Sequence, residues 1–330
     1  MSKVLRALDS AGLANLVETS HVKDVGFGGR TAQIKVGAER VFCKLIPLTR
    51  LETLLGNHRS TRNLFRLPTY YQYGIGSVGF GAWRELAAQD LASKWVLYGK
   101  HGQFPIMHHW RVVEFPGSAL VDPEADEYLS HAAARGQDET TIRERLLALR
   151  KSTSQIAIFT EHFPKTLSEW MLEKIQSDRT SAHTEVSIVV DQSRQAFEFM
   201  RNSNFVHFDA HLDNILTDGT QLYFADFGLA VHKSFDLSED ERKFMNDHAY
   251  YDPARFASSF VHMLCRAIPG VEGWRQKLEE PVRHTNSLPP AAIAALQSYA
   301  PMAKYMADFA KTLINTNRQV AFAPPSAATS

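Results

Sequence analysis

Hydrophobic and polar positions change period part-way along the chain. From 22 to 47 they alternate, as strands do when one face is covered. Val25-Gly26-Phe27-Gly28-Gly29-Arg30 reads as a turn between two strands, 32–36 as the second, and 40–46 as a third that Pro47 ends. Residues 48–56 suit a short helix, and 57–81 are irregular, interrupted by Pro68, Gly74, Gly76 and Gly79. Over 81–97 apolar residues such as Ala82, Leu86, Ala88 and Ala92 recur near three and four, which predicts a helix. Residues 106–115 are strand-like. Residues 116–151 are acidic and then helical, with Arg143, Arg145, Arg150 and Lys151 as a solvated face. The run 155–161 is a buried strand, 162–165 a connector, and Thr166-Leu167-Ser168-Glu169 a capping box that opens a helix. Helices are predicted at 184–202, 254–267, 271–281, 290–297 and 300–316, with one N-terminal helix over 1–17.

Strands thus dominate before about 161 and helices after it, an α+β pattern of two lobes with a cleft between them. The divisions are an N-terminal helix (1–21), a strand-rich lobe (22–161) with insertions at 48–80 and 116–151, a helical lobe (162–318), and a tail (319–330) whose Ala- and Pro-rich composition reads as disordered.

Composition narrows the function classes. Lys plus Arg (36) equals Asp plus Glu (36), which argues against a nucleic-acid binder or a basic membrane-surface protein. Cys43 and Cys265 lie in apolar surroundings and read as buried thiols. No apolar run approaches the length of a membrane span and the N-terminus lacks a signal peptide's apolar block, so a cytoplasmic location is expected. The histidines, His108, His109 and His131 among them, show no metal-ligand spacing, and no zinc site is expected.

The candidate chemistry sits at 207–228. His207-Phe208-Asp209-Ala210-His211-Leu212-Asp213-Asn214 places an Asp and an Asn five apart, and Asp226-Phe227-Gly228 follows twelve residues after Asn214. Such a pattern arises by chance in roughly one chain in ten thousand. Phosphoryl transfer needs this set. Asp209 would accept the proton of an attacking hydroxyl, and Asn214 and Asp226 would hold magnesium against the ATP phosphates. Residues 215–225 between them read as a strand, a turn at Asp218-Gly219 and a second strand. This arrangement resembles the catalytic and metal-binding loops of the eukaryotic-like protein kinase superfamily, and His211 is similar to the residue found there in aminoglycoside and choline phosphotransferases.

The resemblance spans about 22–230 and is specific mainly at 204–230. It implies a bilobal kinase-like fold with an antiparallel-sheet N-lobe and a mainly helical C-lobe. It implies ATP and magnesium as cofactors. Gly26, Phe27, Gly28 and Gly29 would form the loop over the phosphates, although Thr31 stands where the family has its last glycine. Lys44, in Val41-Phe42-Cys43-Lys44-Leu45-Ile46, would hold the α- and β-phosphates. Its partner would be Glu85, with Glu52 the alternative. Glu161 to Phe163 would be the hinge for the adenine edge, with Phe159 or Thr160 behind it. His211 would contact the γ-phosphate or orient Asp209. The family's Arg before the catalytic Asp is Phe208 here, which implies no control by loop phosphorylation, and no Ala-Pro-Glu follows the metal loop, where Tyr251-Asp252-Pro253-Ala254-Arg255 comes nearest. The acceptor is left open. A Ser/Thr side chain of a protein comes first and a small-molecule hydroxyl second, with a related transfer such as nucleotidylation, or a non-catalytic scaffold, behind them.

Overall fold

A computed structural model describes residues 2–18, 21–26, 29–74, 79–114, 140–177, 179–268, 288–315 and 320–325. In chain order the elements are helices α1 (Ser2–Ala7) and α2 (Ser10–Glu18), strands β1 (His21–Gly26), β2 (Gly29–Val36) and β3 (Glu39–Leu48), helices α3 (Arg50–Thr53) and α4 (Ala82–Leu97), strand β4 (Met107–Glu114), helix α5 (Thr140–Arg150) and strands β5 (Ser154–Glu161) and β6 (Lys165–Thr166). Then come helices α6 (Leu167–Ser177) and α7 (Arg179–Asn202), strands β7 (Phe205–Val206), β8 (Ile215–Thr217), β9 (Leu222–Phe224) and β10 (Val231–His232), and helices α8 (Glu239–Asp247), α9 (Tyr251–Arg266) and α10 (Pro290–Asn315). The fold is mixed α and β with antiparallel sheets. It divides into two units, one of 1–162 with 227–244, the other of 163–226 with 245–330. The predicted helix at 271–281 lies outside the described residues.

The first unit is built on a five-stranded sheet in the order β1-β2-β3-β5-β4. Strand alternation sorts the side chains of β3 onto two faces. Val41, Cys43 and Leu45 join Ala157 and Phe159 beneath Leu5, Leu13 and Val17 of α1 and α2. Ile46 and Leu48 join Ile156 and Ile158 beneath Ala82, Trp83 and Leu86 of α4. A sheet covered on both sides explains the nearly continuous apolar run of β3. Pro47 does not end that strand. It pairs with Gln155 of β5, while the described pairing with β2 stops at Leu45, so its missing N–H removes no ladder bond there.

Three further readings change. The single N-terminal helix is two, because the carboxylate of Asp9 accepts the Gly12 N–H at 2.7 Å and restarts the helix as a cap. The helix at 48–56 shrinks to Arg50–Thr53, closed by a Thr49–Glu52 capping box, since Leu54 is extended. Arg145 does not belong to a solvated face. It is 2% exposed, its Nε donates to the Gly79 carbonyl at 2.9 Å, and its Nη1 stands 3.7 Å from Glu52. Leu67, Tyr71 and Phe80 pack with Ile142 and Leu146 of α5, so the two insertions share a core.

The second unit is mainly helical. Its three-stranded sheet, β6-β8-β9, holds the hairpin whose turn is tied by Asp218, with Gly219 at φ 95°. The capping box opening α6 forms as its sequence predicts, with Thr166 N–H donating to Glu169 at 3.0 Å and Glu169 N–H to Thr166 Oγ1 at 3.2 Å. The two helices predicted at 290–297 and 300–316 are one, α10, with the exposed Pro301 inside it. Its apolar stripe, including Ala292, Leu296, Met302, Met306 and Phe309, stays buried through the proline, and packing offsets the one lost backbone bond. Phe322, in the stretch read as a disordered tail, lies in ring contact with His248, Tyr251, Tyr305 and Phe309.

Candidate active site

The second unit carries the segment around Asp209. Helix α7 ends in a turn at Asn204, whose φ is 55°, and β7 leads into the loop. His207 is fully buried. Its Nδ1 accepts the Asp209 N–H at 3.3 Å, so the ring proton belongs on Nε2, which donates to the Ala225 carbonyl at 3.0 Å. Burial favours the neutral ring and pushes its pKa down, against the opposing pull of Asp209 and Asp226. One neutral imidazole thereby ties Asp209 to the residue before Asp226.

Asp252, in the first turn of α9, grips the same loop. Its Oδ2 accepts the His207 N–H and its Oδ1 the Phe208 N–H, both at 2.8 Å. Burial raises its pKa to about 7 in spite of those two bonds. The grip has a purpose in the backbone, because Phe208 sits at φ 64°, a left-handed conformation unfavourable for a bulky residue. Asp226 also has a left-handed backbone, at φ 61°.

Asp209 is flanked by His211 and Arg255. His211 Nε2 and Arg255 Nη2 stand 3.6 Å and 3.5 Å from its Oδ1. Burial works against ionisation, but the hydrogen bond to His211 and the electrostatic pull of His211 and Arg255 outweigh it and bring Asp209 down to about 2. Asn214 donates its amide to both the Asp209 carbonyl and its Oδ2, each at 3.0 Å. The Asn214 carbonyl accepts the Ala225 N–H at 2.9 Å. The Asp, the Asn and the second Asp, separated by up to seventeen positions in sequence, are thus joined by a short chain of bonds through Ala225.

The chain matches no protein-family model, and no curated protein matches it.

In the first unit Lys44 lies on the α4 face of β3, two residues before Ile46. Its Nζ meets Glu85 Oε1 at 2.7 Å, with side-chain exposures of 11% and 8%. A buried ammonium is costly without such a partner. Glu52, the alternative partner, is used elsewhere. Its Oε1 accepts the Ala82 N–H at 2.8 Å, capping α4 one turn before Glu85, and its Oε2 closes the capping box. The residue before Glu85, Arg84, reaches Glu241 of α8 at 2.9 Å in a pair of 3% and 7% exposure.

The remaining predicted residues are less informative. Gly26 and Gly29 pair across the ends of β1 and β2, and Phe27 and Gly28 lie outside the described residues. Glu161 is engaged by its own sheet, its N–H donating to the Ile106 carbonyl at 3.0 Å and its carboxylate accepting the Ile106 N–H at 2.9 Å. Phe163 stacks on Tyr223 with centroids 3.9 Å apart.

Sequence reasoning missed His207, Arg255 and Asp252. The signal for Asp252 was present: an acidic residue one position before a proline, inside a strongly amphipathic helix, on a face that must be buried. Among the described residues no helix is long and apolar enough to cross a membrane.

Proposed function

We propose that the chain is an ATP- and magnesium-dependent phosphotransferase with a hydroxyl acceptor, a protein Ser/Thr side chain before a small molecule. The observation that carries this reading is the bonded set Asp209–Asn214–Ala225–His207, which presents one ionised carboxylate beside an amide and ends at Ala225, the residue directly before Asp226. The Lys44–Glu85 pair supports it, because a charge-neutralising lysine is the other group phosphoryl transfer needs.

The donor set fits the implied metal. Asn214 and Asp226 offer oxygen atoms, which suit a hard cation. Among the described residues no group of three or more His, Cys, Asp or Glu could hold an ion alone, so one held here would take its other ligands from phosphate and water. Bound magnesium would neutralise charge on the β- and γ-phosphates. Asp209, at about 2, is too weak a base to deprotonate an alcohol beforehand. It would orient the hydroxyl and receive its proton late, as transfer proceeds. Lys44, steadied by Glu85, would bind the phosphates. A small-molecule acceptor is favoured by His211, held 3.6 Å from Asp209.

Incubation of the purified chain with γ-labelled ATP and magnesium, alone and with a general protein substrate, tests the proposal. Label should appear on protein and fall about 100-fold or more in Asp209→Ala and in Asp226→Ala, both still folded. Labelling that persists at the normal rate in both variants would overturn it. ATP-dependent stabilisation without labelled protein would move the acceptor to a small molecule.

A further inference from the structure

The C-terminal residues 320–325 have no regular secondary structure, yet Phe322 is set among four rings. It stacks on His248 at 5.3 Å with an interplanar angle of 21°, and meets Tyr251 at 5.2 Å, Phe309 at 5.6 Å and Tyr305 at 5.9 Å. The Ala323 N–H donates to Tyr305 Oη at 2.7 Å. Two of those rings, His248 and Tyr251, also flank Phe208, at 5.8 Å and 5.3 Å. Phe322 therefore backs the same two residues that Phe208 leans on.

Phe208 needs that support. It is 1% exposed, holds a left-handed φ of 64°, and directly precedes Asp209. A phenylalanine keeps such a backbone only where its surroundings enforce it. Two restraints do so: Asp252 accepts the N–H groups of both His207 and Phe208, and Tyr251, its neighbour in sequence, packs on the Phe208 ring. Tyr251 and His248 are held in turn by Phe322. Phe322 is the one aromatic residue between 319 and 330, and Ala321, Ala323 and Pro325 around it are exposed. Among the described residues the Phe322 ring and the Ala323 N–H hold the segment down, while the helices beneath it keep their own buried stripes.

We propose that the C-terminal segment around Phe322 is a positioning element for Asp209, acting through His248 and Tyr251 on Phe208. The proposal rests on Asp209 being the group that orients the acceptor, but the mechanical coupling can be read independently of activity. Docked, the tail keeps Phe208 in its left-handed conformation and Asp209 in register with Asn214. Released, it leaves the far sides of His248 and Tyr251 uncovered, and the loop relaxes.

The test compares the full chain with Phe322→Ala, Phe322→Tyr and a chain ending at Gln319. Amide hydrogen exchange at His207 and Phe208 is read alongside kcat and the KM for ATP. In Phe322→Ala and the shortened chain, exchange at these two amides should rise about tenfold while the β8–β9 hairpin amides are unchanged. The kcat should fall about tenfold with the KM for ATP unmoved, and Phe322→Tyr should restore both. Unchanged exchange at His207 and Phe208 would overturn the proposal, and so would a rise shared equally by the hairpin, which marks general loosening. Should the full chain transfer no phosphate at all, the assigned function fails, and the exchange data alone decide whether the tail holds the loop.

Discussion

Asp252 is the residue that holds the loop before Asp209. Its raised pKa, about 7, has a definite consequence for stability. The unfolded chain releases this proton near the ordinary aspartate value of about 4, whereas the folded chain keeps it to about 7. Between those values the folded state binds more protons, so stability falls as pH rises from about 4 to about 7 and is flat above. Asp209 and Asp218, both lowered to about 2, act oppositely: their contribution is complete above about 4 and is lost as pH drops towards 2. His207 and the other histidines that burial keeps neutral act the opposite way over the same window, so the Asp252 contribution is read as a difference between two proteins. From about pH 4.5 to 7.5 in denaturant unfolding, the natural chain should lose on the order of 3 kcal/mol relative to Asp252→Asn, and parallel pH profiles of the two proteins would contradict the assignment. At the same scale, Glu85→Gln should raise the KM for ATP about tenfold with less effect on kcat, because it removes the charge that fixes Lys44.

Among the elements, α4 is the one whose placement depends on distant sequence. Glu52 caps its first turn, Arg145 stands beside Glu52, and Arg84 within it is paired with Glu241. Truncating one partner of a buried ion pair leaves a stranded charge. Arg84→Met should therefore cost about 3–5 kcal/mol, while Arg84→Met with Glu241→Leu should recover much of it. A double variant as unstable as the single one would show that the pair is not what sets the cost. These elements also show where sequence reading succeeds and where it stops. The helix at 81–97, the capping box at Thr166–Glu169 and the hairpin turn at Asp218-Gly219 were legible because their signals are local. The choice of Glu85 over Glu52 was legible from element order, although not from spacing. The burial of Arg145 and the passage of α10 through Pro301 were not legible. Both are decided by surfaces contributed from far along the chain, and periodicity records no partner.

For the molecule as a whole, the groups assigned to phosphoryl transfer divide between two units, Lys44 and Glu85 in one and Asp209, Asn214 and Asp226 in the other. The proposed function assigns phosphate binding to the first set and magnesium to the second. Calorimetric titration with ATP, with and without magnesium, tests it most directly on the natural chain, Lys44→Met and Asp226→Ala. The account expects magnesium-dependent binding in the natural chain, weakened about tenfold or more by Lys44→Met, and no magnesium dependence in Asp226→Ala. Equal affinity and equal magnesium dependence in all three proteins would contradict it.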